Sequence, residues 1–341
     1  MRIATYNVEW FNELFEDDGT LLRDEGWSGR HDVTRAEQID ALGVVFAALD
    51  ADAIMVIEAP DENRRRSTAK ALEKFAQKFE LRARATLLGF GNETQQEIAL
   101  MYDPDVMRAR HAPLGEGADH RGSELSPRFD STFRIDLDVD AKEDLVRFSK
   151  PPLEVEAVLK SGQVLRLIGA HLKSKAPHGA RSDAEAMTLS IENRRKQLAQ
   201  AIWLRKRLEE YLSAGETVML LGDLNDGPGL DQYEDLFGRS SVEIVMGEDG
   251  ERCLYDPHAR LGLQRRLGAT PTTARFYIHE HKRYLQALLD YIMISPDLVD
   301  KAPVWRIWHP FDDPECWRSP ELREALLLAS DHFPVTLDIE F

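Results

Sequence analysis

Cysteine is almost absent from this sequence, with Cys253 and Cys316 the only two. Two thiols cannot build a disulfide framework or a four-thiolate zinc site. A pair of reduced thiols predicts a cytoplasmic protein. No apolar run approaches the roughly 18–20 residues that span a bilayer, and no terminal lipidation motif stands out, so no membrane anchor is expected. The opening Met-Arg-Ile-Ala-Thr-Tyr-Asn reads as a strand and lacks the n-region and h-region of a signal peptide. No Pro/Gly/Ser-rich linker and no internal repeat divides the chain. It is expected to form a single domain, 1–341, with loop insertions near 12–33, 103–130 and 227–288. Basic charge is also in short supply: 43 Lys plus Arg face 60 Asp plus Glu, a formal net charge of −17. That excludes a long basic track for nucleic acid. It does not exclude a local site, because a bound divalent metal inverts the nearby field.

The 341 residues are 43% hydrophobic and 30% charged, an ordinary globular composition that excludes disorder as the main state. Thr34 and Glu37 form a capping box that opens a helix, and Ile39, Leu42, Val45, Phe46 and Leu49 give it one apolar face. Ala53 to Ile57 is a short buried strand, and Leu72, Phe75, Ala76 and Phe79 keep helical step behind it. Strands are expected at 82–88, 97–102, 131–139, 153–160 and 164–170. Ser182 and Glu185 predict a second capping box, opening a helix that runs to Leu212, with Gly215 as its stop. Thr217–Leu221, Leu289–Ile294, Val304–Trp308 and Pro334–Phe341 read as the remaining strands. Strands and helices mix without strict βαβ alternation, which predicts an α/β fold with a mixed sheet, or two packed sheets, and helices outside.

Polar residues of chemical interest sit at the ends of these apolar strands. Asn7 follows Ile3-Ala4-Thr5-Tyr6, Glu58 ends Ile54–Ile57, and His171 ends Leu167–Ala170. Asp223 and Asn225 end Val218–Leu221, Asp290 opens Tyr291–Ile294, and Asp331-His332 precede Phe333-Pro334-Val335. Strand ends that converge on one edge make a cleft, and a cleft of carboxylates, amides and imidazoles is an inventory for metal binding and general acid–base work. Singly, each residue has a plain explanation: Gly-Asp is a turn, a terminal Glu is solvated, a lone His is structural. The ordered set is a different matter.

That set resembles the endonuclease/exonuclease/phosphatase superfamily, the fold of pancreatic deoxyribonuclease. The matching segments are Thr5-Tyr6-Asn7-Val8-Glu9, Ile57-Glu58, Gly169-Ala170-His171-Leu172-Lys173-Ser174-Lys175, Leu221-Gly222-Asp223-Leu224-Asn225-Asp226, Leu289-Asp290-Tyr291-Ile292 and Ser330-Asp331-His332-Phe333-Pro334-Val335. The resemblance implies a four-layer α/β sandwich of two mixed β-sheets flanked by helices. It implies a divalent-metal-dependent phosphodiester hydrolase, foremost a nuclease cleaving DNA or RNA by in-line attack of an activated water. Glu58, with Asn7 and Asp331, is expected to hold Mg²⁺ or Mn²⁺, hard ions that bridge to phosphate. His171, Asp223, Asn225, Asp290 and His332 are the expected catalytic residues. Asp223 stands beside the attacking water, Asn225 orients it, and Asp290 fixes the tautomer of His332. Lys150 and Lys173 are expected to contact phosphate, and Glu97 is a candidate partner for His171. Asp223 and His332 both stay open as the base.

Departures from the family pattern narrow the substrate. Ile57-Glu58-Ala59 differs from the Gln-Glu-Thr of apurinic-site endonucleases, and Asp226-Gly227 differs from the Phe-Arg of inositol-polyphosphate phosphatases. Two alternatives to a nuclease remain: hydrolysis of a small-molecule or lipid phosphate ester, which the acidic composition would suit, and a non-catalytic binding scaffold. Arg64-Arg65-Arg66 reads as a surface charge run. Arg194-Arg195-Lys196 and Arg205-Lys206-Arg207 read as the solvated face of the long helix. Trp10 is expected to pack at the core or rim, and the 12–33 and 227–288 stretches to shape the rim of the cleft.

Overall fold

The computed structural model describes residues 1–117, 121–136, 143–177, 179–227, 238–248, 252–264, 270–278 and 282–341. Strands β1 (Arg2–Asn7), β2 (Ala53–Ala59), β3 (Ala85–Leu88), β4 (Glu97–Tyr102), β14 (Val304–Ile307) and β15 (Val335–Asp338) form one mixed sheet in the order β14-β15-β1-β2-β4-β3. Strands β5 (Met107–His111), β8 (Leu153–Leu159), β9 (Val164–His171), β10 (Val218–Asp223) and β13 (Asp290–Ile294) form a second, in the order β13-β10-β9-β8-β5. In the first sheet β1 runs parallel to β2 and antiparallel to β15. In the second, β10 runs parallel to β9 and antiparallel to β13. Two antiparallel ribbons stand apart: β6 (Phe133–Ile135) with β7 (Asp144–Val146), and β11 (Ala274–Ile278) with β12 (Arg283–Ala287).

The layers follow from the alternation of side chains along each strand. Met55 and Ile57 of β2 join Leu165 and Leu167 of β9 and Met219 and Leu221 of β10 in a core between the sheets. Their neighbours Ile54 and Val56 face the other way, into a cluster with α1 (Arg35–Leu49), α2 (Thr68–Lys78) and the helix Pro320–Ala329. Ile168, Ala170 and Leu220 likewise turn outward onto α3 (Asp183–Ser213). Both faces of each sheet are thus covered, which is why the strands read as near-continuous apolar runs. Burying each Leu, Ile or Val side chain contributes roughly 1.5–3 kcal/mol. The sheets approach closely at Gly169, where a Cβ would lie 2.4 Å from Met55 Sδ. The α/β four-layer sandwich expected from the sequence is the observed fold.

Local signals worked unevenly. The Thr34–Glu37 capping box forms in full. At Ser182 only half of one forms: the Ser182 side chain accepts from Glu185 N, while Glu185 accepts from Arg181 N at 2.8 Å. The expected strand 82–88 is shorter, Ala85–Leu88, and 131–139 reduces to Phe133–Ile135, residues 137–139 lying outside the described ones. The 103–130 excursion contains β5, and the 227–288 stretch contains the helices Ser241–Met246 and Pro257–Leu263 and the β11–β12 ribbon. Residues 118–120, 228–237, 249–251, 265–269 and 279–281 of those two insertions lie outside the described residues.

The basic runs of α3 correct the expectation of a solvated face. Arg194 and Arg207 are fully buried. Arg194 donates to Asp226 Oδ2 at 2.7 Å. Arg207 grips both oxygens of Glu154 at 2.6 and 2.7 Å and donates to Ser126 O at 2.9 Å. The long helix is roofed by Phe129, Phe133 and Phe148, which pack on Trp203, so Arg194 and Arg207 lie inside, while Lys196 and Lys206 of the same runs stay exposed as expected. A buried cation persists only when paired, and here each has its carboxylate. In the Arg64–Arg66 run, Arg64 and Arg65 are exposed, but Arg66 turns in to donate to Phe15 O at 2.7 Å.

Candidate active site

Strand register alone gathers three of the expected residues. Asp223, the last residue of β10, is paired with His171 of β9 on one side and with Asp290 of β13 on the other. A sheet places such register partners about 5 Å apart. Gly222 makes the alignment possible: its φ is +136°, and a Cβ there would lie 2.0 Å from Ala170 O. Asn7 closes β1 and enters from the first sheet, where its Nδ2 donates to Asp223 Oδ2 at 3.0 Å. His332 completes the group, its Nδ1 lying 2.7 Å from Asp290 Oδ2. His171 Nε2 and His332 Nε2 stand 3.6 and 4.0 Å from Asp223 Oδ2, one on each flank.

Two of the polar residues sit on backbone that resists them. Glu58 has φ +61°, at the point where the β2–β4 register slips between Ile57 and Ala59. A bulge of this kind re-aims one side chain out of the alternation, and the left-handed conformation costs about 1–3 kcal/mol for a non-glycine residue. Gln96 Nε2 holds the re-aimed carboxylate at Oε2, 2.5 Å away. Asn225 has φ +49°. Its N–H donates to Asp223 Oδ1 at 2.7 Å and its amide to Leu172 O at 3.1 Å, so the Asp-Leu-Asn turn is stitched to the β9 strand end. Beneath it, Gln197 of α3 donates to Asn225 O at 2.9 Å and Lys173 O at 3.0 Å, tying both loops to one helix.

Burial and neighbouring charge divide the ionisable groups. Burial and the cations Lys150 and His332 push His171 well below the usual imidazole range, so it is neutral. Burial opposes charge on His332 too, but Asp290, Asp331 and Asp223 outweigh it and raise His332 well above that range. Burial and Asp290 push Asp223 up to about 7, against the pull of His332 and the bonds from Asn225 and Asn7. Glu58 and Asp331 are raised as well, chiefly by burial. Lys150 is lowered by burial and lifted by Glu58 and Asp223. Carboxylates therefore exceed cations in a dry pocket, an arrangement that calls for added positive charge.

Among the described residues, Asp223, Asp290 and His332 offer ligand atoms that all lie within 4.8 Å of one another. The short His332–Asp290 contact shares a proton, so a cation fits better on the Glu58 side. There Asn7 Oδ1 is buried without a hydrogen-bond partner among the described residues, and Glu58 Oε1 stands 3.9 Å from His171 Nε2. Hard oxygen donors of this kind suit Mg²⁺ or Mn²⁺. A cleft lined in part by Trp10, Asn12, Thr94 and Gln96 opens beside Glu58.

Asn7, Glu58, His171, Asp223, Asn225, Asp290, Asp331 and His332 all lie in or against this cluster. Lys150 joins it, its Nζ 3.2 Å from His171 Nδ1. Glu97 does not meet His171; it accepts from Asn92 Nδ2 at 2.7 Å, and burial pushes it up to about 7. Lys173 is half-buried, its charge opposed by Lys196 and opposing Lys150 of the cluster, and its main-chain N–H donates to Gln200 at 2.9 Å. Sequence reading missed Thr273, whose hydroxyl donates to Asp290 Oδ2 at 2.8 Å and accepts from Asp290 N at 3.0 Å. A lone threonine in an irregular stretch carries no local signal. Gln197 was also missed, although its i,i+3 spacing from Arg194 puts both on one helix face.

Comparison with known proteins bears on the family and the fold. The family model described as "Endonuclease/Exonuclease/phosphatase family" matches residues 4–332. No curated protein matches the chain. Truncated TDP2 from Caenorhabditis elegans aligns over 98% of this chain and 96% of its own at 14% identity, with a TM-score of 0.51. An AP endonuclease from Archaeoglobus fulgidus aligns over 100% of both chains at 12% identity and a TM-score of 0.49. At such identities the likeness concerns the fold.

Proposed function

The chain belongs to the endonuclease/exonuclease/phosphatase family and is a phosphoric ester hydrolase, and from that premise we propose that it is a nuclease that cleaves nucleic-acid phosphodiesters with Mg²⁺ or Mn²⁺. The observation that carries the reading is the placement of Asp223: one carboxylate, pushed up to about 7, flanked by a neutral and a charged histidine. A base in that range removes a proton from water near neutral pH. Asn225, fixed to Asp223, orients that water. The His332–Asp290 pair keeps an imidazolium facing the scissile phosphate. Neutral His171 holds a proton for a phosphate oxygen or the leaving oxygen, and Lys150 beside it offers a cation to the same phosphate. A divalent ion held by Glu58, Asn7 and Asp331 would supply charge neutralisation for the phosphate. No Ser or Cys nucleophile is required, and both cysteines are buried thiols, which suits a cytoplasmic setting. Among the described residues no helix is long and apolar enough to cross a membrane. The two sheets share one core, which supports reading 1–341 as one domain.

The test is a cleavage assay on plasmid, single-stranded DNA and RNA with and without Mg²⁺ or Mn²⁺, beside a panel of nucleotide, sugar and lipid phosphate esters. Metal-dependent nicking that disappears in Asp223→Ala and His332→Ala is expected. Turnover confined to a small or lipid ester would replace the nuclease reading, and robust nicking by both variants would remove the assigned chemistry.

A further inference from the structure

The β11–β12 ribbon is bound to the catalytic segment by its main chain. Arg275 N donates to Asp331 O at 2.7 Å, and Phe333 N donates to Thr273 O at 2.6 Å. Ribbon side chains are therefore placed relative to His332 by backbone hydrogen bonds. Phe276 meets the His332 imidazole edge-on, with ring centres 5.5 Å apart. The Arg275 guanidinium lies 3.4 Å from the Tyr284 ring centre, and Tyr277 meets Tyr284 at 5.1 Å. Tyr277 also packs against His31 at 5.6 Å, so the ribbon touches the 12–33 loop. That loop reaches Trp10, whose ring leaves room for glycine alone at position 29, where a Cβ would meet it at 2.7 Å. Trp10 is 47% exposed and lines the cleft beside Glu58.

Charge sets Arg275 apart. Many arginines of this acidic chain hold a carboxylate, as Arg2, Arg35, Arg82 and Arg207 do. Arg275 meets none within 4 Å among the described residues, and its cation rests on an aromatic face instead. A guanidinium on a half-exposed tyrosine, next to the phosphate-cleaving cluster, is the combination that grips unpaired nucleotides.

We propose that this rim binds single-stranded nucleic acid. One base stacks on Trp10 on the Glu58 side of the scissile bond, another on Tyr284 on the His332 side, and Arg275 faces a flanking phosphate. The inference rests on the nuclease reading and narrows its substrate. Bases in a duplex already stack on one another and cannot lie on Trp10 or Tyr284 without unpairing. Stacking is indifferent to net charge, so it suits a chain of −17. The exposed edge of β12, with Arg283, Tyr284, Leu285 and Gln286, is too polar for a bilayer-inserting face.

The experiment uses the full chain carrying Asp223→Ala, so that cleavage does not remove the probe. Fluorescence polarisation follows an oligothymidylate of about 12 nucleotides, a span within single-strand site sizes, and a duplex of the same length. The single strand is expected to bind at least about tenfold tighter. Adding Trp10→Ala or Tyr284→Ala weakens it about fivefold or more, while Tyr284→Phe keeps it, as stacking requires. Arg275→Gln reduces the slope of log affinity against log salt by about 0.7, the release expected of one phosphate contact. Equal binding of duplex and single strand, or no loss in either alanine variant, overturns the proposal. So does co-sedimentation with phosphatidylcholine/phosphatidylserine vesicles that Tyr284→Ala abolishes. Equal cleavage of both nucleic acids by the wild type sinks this inference and spares the nuclease reading. Turnover of bis(p-nitrophenyl) phosphate without cleavage of any nucleic acid sinks both and leaves a phosphodiesterase.

Discussion

Asp223 and Asp226 stand three residues apart in one turn, both buried, and they face opposite regions of the molecule. Asp223 looks into the cleft, where Asp290 and burial raise it. Asp226 looks onto α3, where burial is outweighed by Lys175 and Arg194 and its carboxyl is held below the usual range. Lys175 Nζ reaches it at 2.6 Å and Ser241 N at 2.6 Å. The same side chain at nearly the same depth is a balanced ion on one face and an unbalanced one on the other. Balance makes the α3 side a rigid support, since breaking one partner leaves a buried charge stranded. Imbalance leaves the cleft side ready for a cation and a phosphate, and makes it a source of repulsion until they arrive.

The contrast can be broken most forcefully by Asp223→Asn. Diester hydrolysis should fall at least about 10³-fold, as for loss of a base, while the melting temperature holds or rises because a repelled charge has gone. A clear drop in stability would mean that Asp223 is paired as Asp226 is. Next in size is Asp226→Ala, which removes the buried carboxylate that Arg194 and Lys175 share. About 3–5 kcal/mol of unfolding free energy should be lost in denaturant titrations, with Arg207→Met beside Glu154 behaving alike. A third effect sharpens the cleft side. Saturating Mg²⁺ or Mn²⁺, at about 100 times the dissociation constant, should stabilise the wild type by about 2.7 kcal/mol, seen as a raised melting temperature. Glu58→Gln should lose that gain, and Asp226→Ala should keep it.

The smallest effect lies outside both regions. Burial lowers His258 to about 4. An unfolded imidazole titrates near 6.5, so between those values the unfolded chain binds the extra proton. Stability on this account is fully present above about pH 6.5 and is lost as pH falls toward 4, by about 1–3 kcal/mol. His258→Gln should flatten that limb of the melting profile.

What the sequence disclosed follows the same divide. Asn7, Glu58, His171, Asp223, Asp290 and His332 were legible because each stands at or just before one end of an apolar strand, so local pattern announced the residue and its place along the chain. Packed sheets with helices outside were legible in the order of apolar strands and amphipathic helices, while the four-layer sandwich followed from the family resemblance of the ordered motifs; that Ile54–Ile57 alternates between two buried faces is visible only in the structure. Arg194 and Arg207 were not legible, because a charged stripe on a long helix looks the same whether water or a buried carboxylate lies opposite. Thr273 acts through a contact 17 residues away, and the β11–β12 ribbon owes its place to hydrogen bonds with Asp331 and Phe333. Neither leaves a trace in local composition. Glu97 was misassigned because its strand position fits His171, yet its side chain turns to Asn92.

The pairing of β1 with β15 joins Arg2 to Asp338 and Thr5 to Val335. Asn7 and His332 therefore meet only when segments more than 300 positions apart are side by side, with His171, Asp223 and Asp290 arriving on a separate sheet. Only a stretch running from Asn7 to His332, nearly the whole chain, holds the complete set. The centre is thus a product of docking: until the two sheets pack, Asn7 and Glu58 on one stay apart from His171, Asp223 and Asp290 on the other, and the cluster is incomplete.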